Sequence, residues 1–199
     1  MNMTIKVQPM GPYQTNCYIV TKDGKDIIID PGVDATAWVK ANVKNPIAIL
    51  NTHGHFDHVW SNAELQHDLG VKLYTPKEDD MLLRQSSWMP DLPPSTPDVL
   101  VENNEELNLD GIRVKFRHFP GHTPGNSTIE IDDAMFSGDF IFQKSIGRTD
   151  FPYSNPQDMK KSLEKFLQLD YDKTIYPGHG ETTSIKQEQQ YTPFWIQQL

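Results

Sequence analysis

The segment that most constrains this chain is Thr52-His53-Gly54-His55-Phe56-Asp57-His58, which places three imidazoles and one carboxylate within six residues. A β-strand points successive side chains to opposite faces, so a straight strand cannot bring these groups together. A turn or the start of a helix must therefore follow the apolar residues that end near Asn51. The sequence thus predicts a strand that opens into a turn with ligand groups on two sides.

Other ligand-type residues stand alone in turn-rich segments, namely Gly121-His122-Thr123-Pro124-Gly125, Ser137-Gly138-Asp139 and Pro177-Gly178-His179-Gly180. With the histidine-rich segment they supply five His and two Asp, enough for two three-ligand sites and one bridging carboxylate. Neutral imidazoles and carboxylates suit zinc, iron or manganese, and a catalytic site leaves one coordination position open for water. Two divalent ions about 3.5–4 Å apart can share a hydroxide and bind both the attacked oxygen and the leaving group. This chemistry favours hydrolysis over a structural role.

Each motif alone is a weak signal, because His-x-His and Gly-His-Gly occur in many chains that bind no metal. Their occurrence together and in this order is what favours a metal site. A metal-bound interaction module without catalysis is an alternative, and it predicts a closed site with no exchangeable water.

Together these motifs resemble those of the metallo-β-lactamase superfamily, and within it those of the glyoxalase II-like thioester hydrolases. The resemblance covers nearly the whole chain and includes Asn16-Cys17-Tyr18-Ile19-Val20, Ile29-Asp30-Pro31-Gly32 and Ser145-Ile146-Gly147-Arg148-Thr149-Asp150. It implies an α/β fold, a four-layer αββα sandwich that forms a single domain over residues 1–199. It also implies a first metal ion on His53, His55 and His122, a second on Asp57, His58 and His179, and Asp139 as the bridge between them.

The resemblance further implies a metal-dependent hydrolase that cleaves a thioester, such as S-lactoylglutathione or a related acyl-thiol, with a hydroxide held between the metals. We expect two divalent ions, zinc before iron or manganese, and a catalytic role for Asp57 in orienting the hydroxide. Glyoxalase II proper carries a helical C-terminal extension, whereas only 20 residues follow His179 (199 − 179), so we expect no such extension here. The Lys and Tyr with which that family grips glutathione align with Arg148 and Asp150. Arg148 can bind a substrate carboxylate, whereas Asp150 would repel one, and an Arg-Asp pair that stabilises a turn is an equal alternative.

Other activities of the same fold stay open. The Gly147-Arg148-Thr149-Asp150 motif also resembles that of persulfide dioxygenases, which use one iron ion, and this is the main alternative. True β-lactamases resemble this pattern less, because they have Cys, or no ligand, where Asp139 stands. Flavodiiron-type domains usually carry Glu where His55 stands.

Composition agrees with one catalytic domain acting on a small molecule. With 199 residues and 37% hydrophobic content, the chain is long enough for a sizeable core and short for two domains. Its 18 basic and 27 acidic residues give a net charge of −9, which opposes nucleic-acid binding. We find neither a secretory leader pattern nor a membrane-spanning apolar run, so we expect a cytoplasmic protein. No feature of the sequence indicates the oligomeric state.

Apolar periodicity and turn residues predict the elements. Strands are expected over residues 4–7, 17–20, 26–30, 47–50, 106–109, 112–119, 127–131, 134–142 and 174–176, with another short strand between residues 70 and 76. Helices are expected over residues 34–43, 59–69, 76–83 and 156–169, with Asp34 as a cap and Gly70 as a stop. The proline-rich residues 88–97 are expected to form a surface loop, either a lid or wall of the cleft or a simple connector.

Four residues outside the ligand motifs need an interpretation. We assign no function to His67 or His118, because neither stands beside a turn that carries other ligands. Cys17, the only cysteine, excludes an internal disulfide and is expected to lie buried in a strand rather than to act as a nucleophile. Asp30, at a strand end, is expected to orient a ligand imidazole.

Overall fold

The computed structural model describes residues 3–199 and contains two six-stranded β-sheets. The first sheet comprises β1 (Thr4–Met10), β2 (Thr15–Lys22), β3 (Lys25–Ile29), β4 (Pro46–Leu50), β5 (Lys72–Pro76) and β6 (Val99–Val101), and its spatial order follows the chain. Strands β1 to β3 form an antiparallel meander, and β3 to β6 run parallel. Consequently β3 and β4 both end at the same edge of the sheet.

The second sheet comprises β7 (Glu106–Leu109), β8 (Ile112–His118), β9 (Ser127–Ile131), β10 (Ala134–Gly138), β13 (Thr174–Pro177) and β14 (Thr183–Ser184). Their spatial order is β14-β13-β10-β9-β8-β7. A separate two-stranded ribbon pairs β11 (Ile141–Phe142) with β12 (Ser145–Ile146). Strands β10 and β13 run parallel, so their carboxyl ends also meet at one edge.

Helices cover the outer face of each sheet. The first sheet carries α1 (Ala35–Asn42), α2 (Phe56–Val59), α3 (Asn62–Leu69) and a 3-10 helix (Lys77–Leu83), whereas the second carries α4 (Pro156–Phe166), α5 (Ile185–Glu188) and α6 (Thr192–Gln198). Alternation along the strands builds the layers: Ile27 and Ile29 of β3 enter the core between the sheets, while Ile28 faces the helices. The four-layer αββα sandwich is therefore confirmed, and it forms a single domain.

Three of the elements expected from the sequence differ in the structure, and β6, α5 and α6 have no counterpart among the expected elements. The helix expected over residues 59–69 is two helices, because Ser61 leaves the helical ladder to bond the carbonyl oxygens of Pro31 and Gly32. The strand expected over residues 134–142 breaks where Gly138 adopts φ 54°. The helix expected over residues 76–83 is a 3-10 helix.

At the caps, Gly70 ends α3 in the left-handed conformation as expected. Asp34 does precede α1, but its side chain makes no capping hydrogen bond. Within residues 3–199, no helix is both long enough and apolar enough to cross a membrane.

Candidate metal centre

Two loops at the strand ends bring His53, His55 and His122 together. His53 and His55 lie in the loop that follows β4, and His122 lies in the loop that follows β8. One nitrogen from each of the three rings falls within 4.8 Å of the others, and all three residues are buried. His55 Nδ1 lies 2.8 Å from His122 Nε2. This first cluster has the composition of a three-histidine metal site.

A second cluster contains Asp57, His58 and His179, with Asp139 on its border. Asp57 and His58 lie on α2, and His179 follows β13. Asp139 Oδ1 lies 3.1 Å from His58 Nε2, whereas Asp139 Oδ2 lies 3.3 Å from His122 Nε2 and 3.4 Å from His179 Nε2. The carboxylate of Asp139 thus stands between the two clusters. The structure brings together all seven residues that the sequence nominated as metal ligands.

Buried polar atoms without partners show that the clusters fit metal ions. Among residues 3–199, His53 Nε2 and His55 Nε2 are buried and have no hydrogen-bond partner. His58 Nε2 and Asp139 Oδ1 also lack a hydrogen bond, although they lie 3.1 Å apart as an ion pair. Buried polar atoms left unpaired cost free energy, and divalent cations would satisfy them.

The protonation preferences differ between the two clusters. Burial holds the pKa of His53 well below its usual range and lowers the pKa of His55 to about 3, so both rings are neutral. Although burial alone would lower the pKa of His58 and of His179, the carboxylates of Asp57 and Asp139 hold the first well above its usual range and raise the second to about 9. The first cluster is therefore ready to accept a cation, whereas in the second cluster a cation would replace the protons that His58 and His179 carry beside two ionised carboxylates.

Backbone and side-chain partners orient the ligand groups from behind. Asp30 Oδ2 lies 2.9 Å from His58 Nδ1, and Asp30 also accepts hydrogen bonds from the backbone and hydroxyl of Thr52. His122 Nδ1 lies 2.8 Å from the carbonyl oxygen of Arg148, which can only accept, so Nδ1 carries a proton and Nε2 faces His55 and Asp139 inside the centre. The expected contact between Asp30 and a ligand imidazole is therefore present.

Sequence reasoning missed two further supports. Thr15 Oγ1 donates to Asp57 Oδ2 at 2.8 Å, and the Tyr13 carbonyl oxygen lies 3.1 Å from His179 Nδ1. Tyr13 lies in the turn before β2 and Thr15 is the first residue of β2, and each is more than forty positions from the side chain it contacts. Nothing in the local sequence links them to the motif.

A cavity of about 320 Å³ opens onto the two clusters. Its walls are mainly apolar and include Tyr13, Phe56, Phe142, Ile146 and Phe151. Trp88 packs edge-on against His55 and at a tilt against Phe151, with ring centroids 5.5 Å apart in each pair. The proline-rich segment thus forms a surface loop whose first residue stands beside the cleft.

Arg148 stands at the rim of this cavity with its guanidinium already engaged. Its Nε and Nη2 atoms donate to Asp150 at 2.6 and 2.8 Å, and the group lies 4.1 Å from the centre of the Phe151 ring. Both side chains of the pair are mostly exposed, at 59% and 66%. Arg148 is therefore near the site, and its charge is balanced by Asp150.

The remaining residues singled out in the sequence lie away from the centre. His67 is exposed on α3 beside Asp68, and His118 on β8 contacts the carbonyl oxygen of Pro124. Cys17 is buried in β2 as expected, and burial raises the pKa of its thiol.

Known proteins resemble this chain both in sequence and in structure. The family model of the metallo-beta-lactamase superfamily matches residues 10–179. The hydroxyacylglutathione hydrolase GloC of Haemophilus influenzae is 36% identical over 207 residues, covering 96% of this chain and 98% of that protein.

Two solved structures are similar to this chain in both fold and sequence. The B3 metallo-beta-lactamase BLEG-1 superposes with a TM-score of 0.87 at 32% identity, covering 96% of this chain and 99% of that chain. TTHA1623 in a di-iron-bound form gives a TM-score of 0.82 at 31% identity, covering 95% and 99%.

Proposed function

This chain belongs to the metallo-β-lactamase superfamily, and from that premise we propose that it is a dinuclear metal-dependent hydrolase of acyl thioesters. The main support for the proposal is the position of the Asp139 carboxylate, which lies between His122 on one side and His58 and His179 on the other. A carboxylate in that position could bind both of two divalent cations and so bridge them.

In this proposal His53, His55 and His122 hold the first ion, and Asp57, His58 and His179 hold the second. When bound, such ions polarise a carbonyl oxygen and lower the pKa of a coordinated water to about 7. Zinc suits the five-imidazole ligand set best, while the di-iron form of TTHA1623 makes iron the second choice.

The side chains of the centre have separable tasks. Asp57 lines the cavity, and the Thr15 hydroxyl fixes its Oδ2 atom, so its carboxylate orients the attacking water. Asp30 and the Arg148 carbonyl oxygen contact the Nδ1 atoms of His58 and His122 and so aim the Nε2 atoms of both rings at the positions that the ions would take. The aromatic walls hold an acyl thioester over the two clusters and limit access of bulk water.

A thioester is the preferred substrate for two reasons. GloC, which is described as a hydroxyacylglutathione hydrolase, matches nearly the whole chain. In addition, the mainly apolar walls of the cleft suit the sulfur and the acyl group of a thioester. S-lactoylglutathione is therefore the reference substrate.

A persulfide dioxygenase with one iron ion is the second candidate, favoured by the Gly147-Arg148-Thr149-Asp150 motif. Because the chain is also similar to BLEG-1, a β-lactam is the third compound to be tested as a substrate.

The test is to assay protein purified without chelators on S-lactoylglutathione, a glutathione persulfide and a β-lactam, each with and without oxygen. We expect thioester cleavage that does not depend on oxygen and that stops when metal is removed. Oxygen uptake with the persulfide and no thioester cleavage would favour the dioxygenase, and turnover of the β-lactam alone would favour a lactamase.

The Arg148–Asp150 pair allows a prediction about substrate charge. If Arg148 binds a glutathione carboxylate, Arg148→Gln raises KM for S-lactoylglutathione by about two- to fivefold, the scale of an exposed ion pair. Asp150→Asn lowers that KM, because it frees the guanidinium. Neither change alters KM for an uncharged thioester, which serves as the matched control. Equal effects on the charged and the uncharged substrate would instead assign the pair to turn stability.

A further inference from the structure

Asp79 is a completely buried carboxylate on the 3-10 helix, outside all the motifs that resemble the family pattern. Its Oδ2 atom accepts hydrogen bonds from the Gly54 backbone N–H at 2.9 Å and from the Thr123 hydroxyl at 2.6 Å. Its Oδ1 atom accepts from the Gly125 backbone N–H at 2.6 Å. One side chain therefore joins the loop that carries His53 and His55 to the loop that carries His122.

Close contacts on both sides indicate that this junction is built around Asp79. A Cβ atom added at Gly54 would lie 2.9 Å from the Asp79 carbonyl oxygen, and one added at Gly125 would lie 2.8 Å from Asp79 Cγ. Contacts that short leave no room for a side chain. The glycines between His53 and His55 and after His122 thus let both loops approach the same carboxylate.

The second cluster has different supports. Asp57 is held by Thr15, His58 by Asp30 and His179 by the Tyr13 carbonyl oxygen. Asp79 makes none of its three side-chain hydrogen bonds to those residues or to Asp139. A change at Asp79 should therefore act on the first cluster before it acts on the second.

We propose that Asp79 is a positioning residue that sets the separation of the His53–His55 loop and the His122 loop, and thereby the affinity for the first metal ion alone. The inference rests on the proposed assignment of two metal ions to the two clusters. Its chemical basis is that all three partners are donors, so only a carboxylate satisfies them all. An amide at this position would turn an N–H₂ group toward at least one of the donors.

The test is metal stoichiometry of Asp79→Asn across a series of buffered free zinc concentrations. Wild-type protein is expected to hold two ions, whereas the variant holds one with unchanged affinity and binds the other about 10- to 100-fold more weakly, the usual effect of removing an outer partner of a ligand. Cobalt absorption spectra give a second readout, because the two ligand sets differ. Asp80→Asn, on the same helix and paired only with Arg84, is the control and keeps both ions.

Thr123→Val supplies a milder variant if Asp79→Asn does not fold. It removes one of the three hydrogen bonds and is expected to weaken the same ion by a smaller factor. Retention of both ions at wild-type affinity in either variant, or equal loss of both ions, would overturn the inference. Failure of the wild type itself to bind two ions would instead refute the proposed function.

Discussion

Replacing Asp139 with Asn is expected to weaken binding of both metal ions and to lower thioester hydrolysis by at least about a thousandfold. The carboxylate lies within 3.4 Å of imidazole nitrogens from both clusters, and an amide cannot supply two anionic oxygens to two cations. Metal content after dialysis and kcat/KM on S-lactoylglutathione measure the effect.

The Asp139 variant has a matched control in Asp68→Asn, which changes a carboxylate paired with Lys40 on the protein surface. The control should keep both metals and full activity. If Asp139→Asn retained two tightly bound ions and near wild-type turnover, Asp139 would not be the bridge.

Replacing Asp57 with Ala is expected to remove most activity, again by about a thousandfold or more, while leaving the fold intact. Asp57 belongs to the second cluster alone, so this variant should keep the first ion and lose affinity for the second. The metal-free variant should stay folded but unfold at a somewhat lower temperature than the wild type. Although burial and the Asp139 carboxylate oppose ionisation of Asp57, its contacts with His58, His179 and Thr15 outweigh them and lower its pKa, so the ionised group stabilises the fold near neutral pH.

Asp57→Ala and Asp139→Asn together separate the roles of the two carboxylates. One ion retained in the first variant and neither held tightly in the second is the expected contrast. Wild-type turnover by Asp57→Ala would refute its assigned role, and loss of both ions in that variant would refute its assignment to one cluster. His122→Ala, which alters the first cluster, should lower metal content in the complementary way.

Much of this centre could be predicted from sequence. A ligand that follows a strand is recognisable both by its residue type and by the turn-forming residues beside it. His122, Asp139 and His179 each stand beside a glycine just after an apolar run, so both their type and their place were visible. Strands β10 and β13 run parallel, and β8 has the same direction because β8 and β10 are both antiparallel to β9, so the three strand ends lie at one edge. Alternation of apolar residues indicated the individual strands, whereas the αββα arrangement was implied by the resemblance to the family.

The supports of the centre could not be predicted in the same way. Thr15, Tyr13 and Asp79 reach their partners across distances set by tertiary structure, and an isolated Thr or Asp carries no local signal of that contact. The break between α2 and α3 has the same origin, because Ser61 leaves the helix to bond a turn some thirty residues earlier. Local propensity favours one helix there, and the tertiary contact overrides it.

The most direct test of the central claim is an anomalous diffraction map from crystals of protein loaded with zinc. Two anomalous peaks are expected in each chain. One should be contacted by His53, His55 and His122, the other by Asp57, His58 and His179, and Asp139 should contact both. A single peak, or two peaks that lie away from these side chains, would contradict the claim.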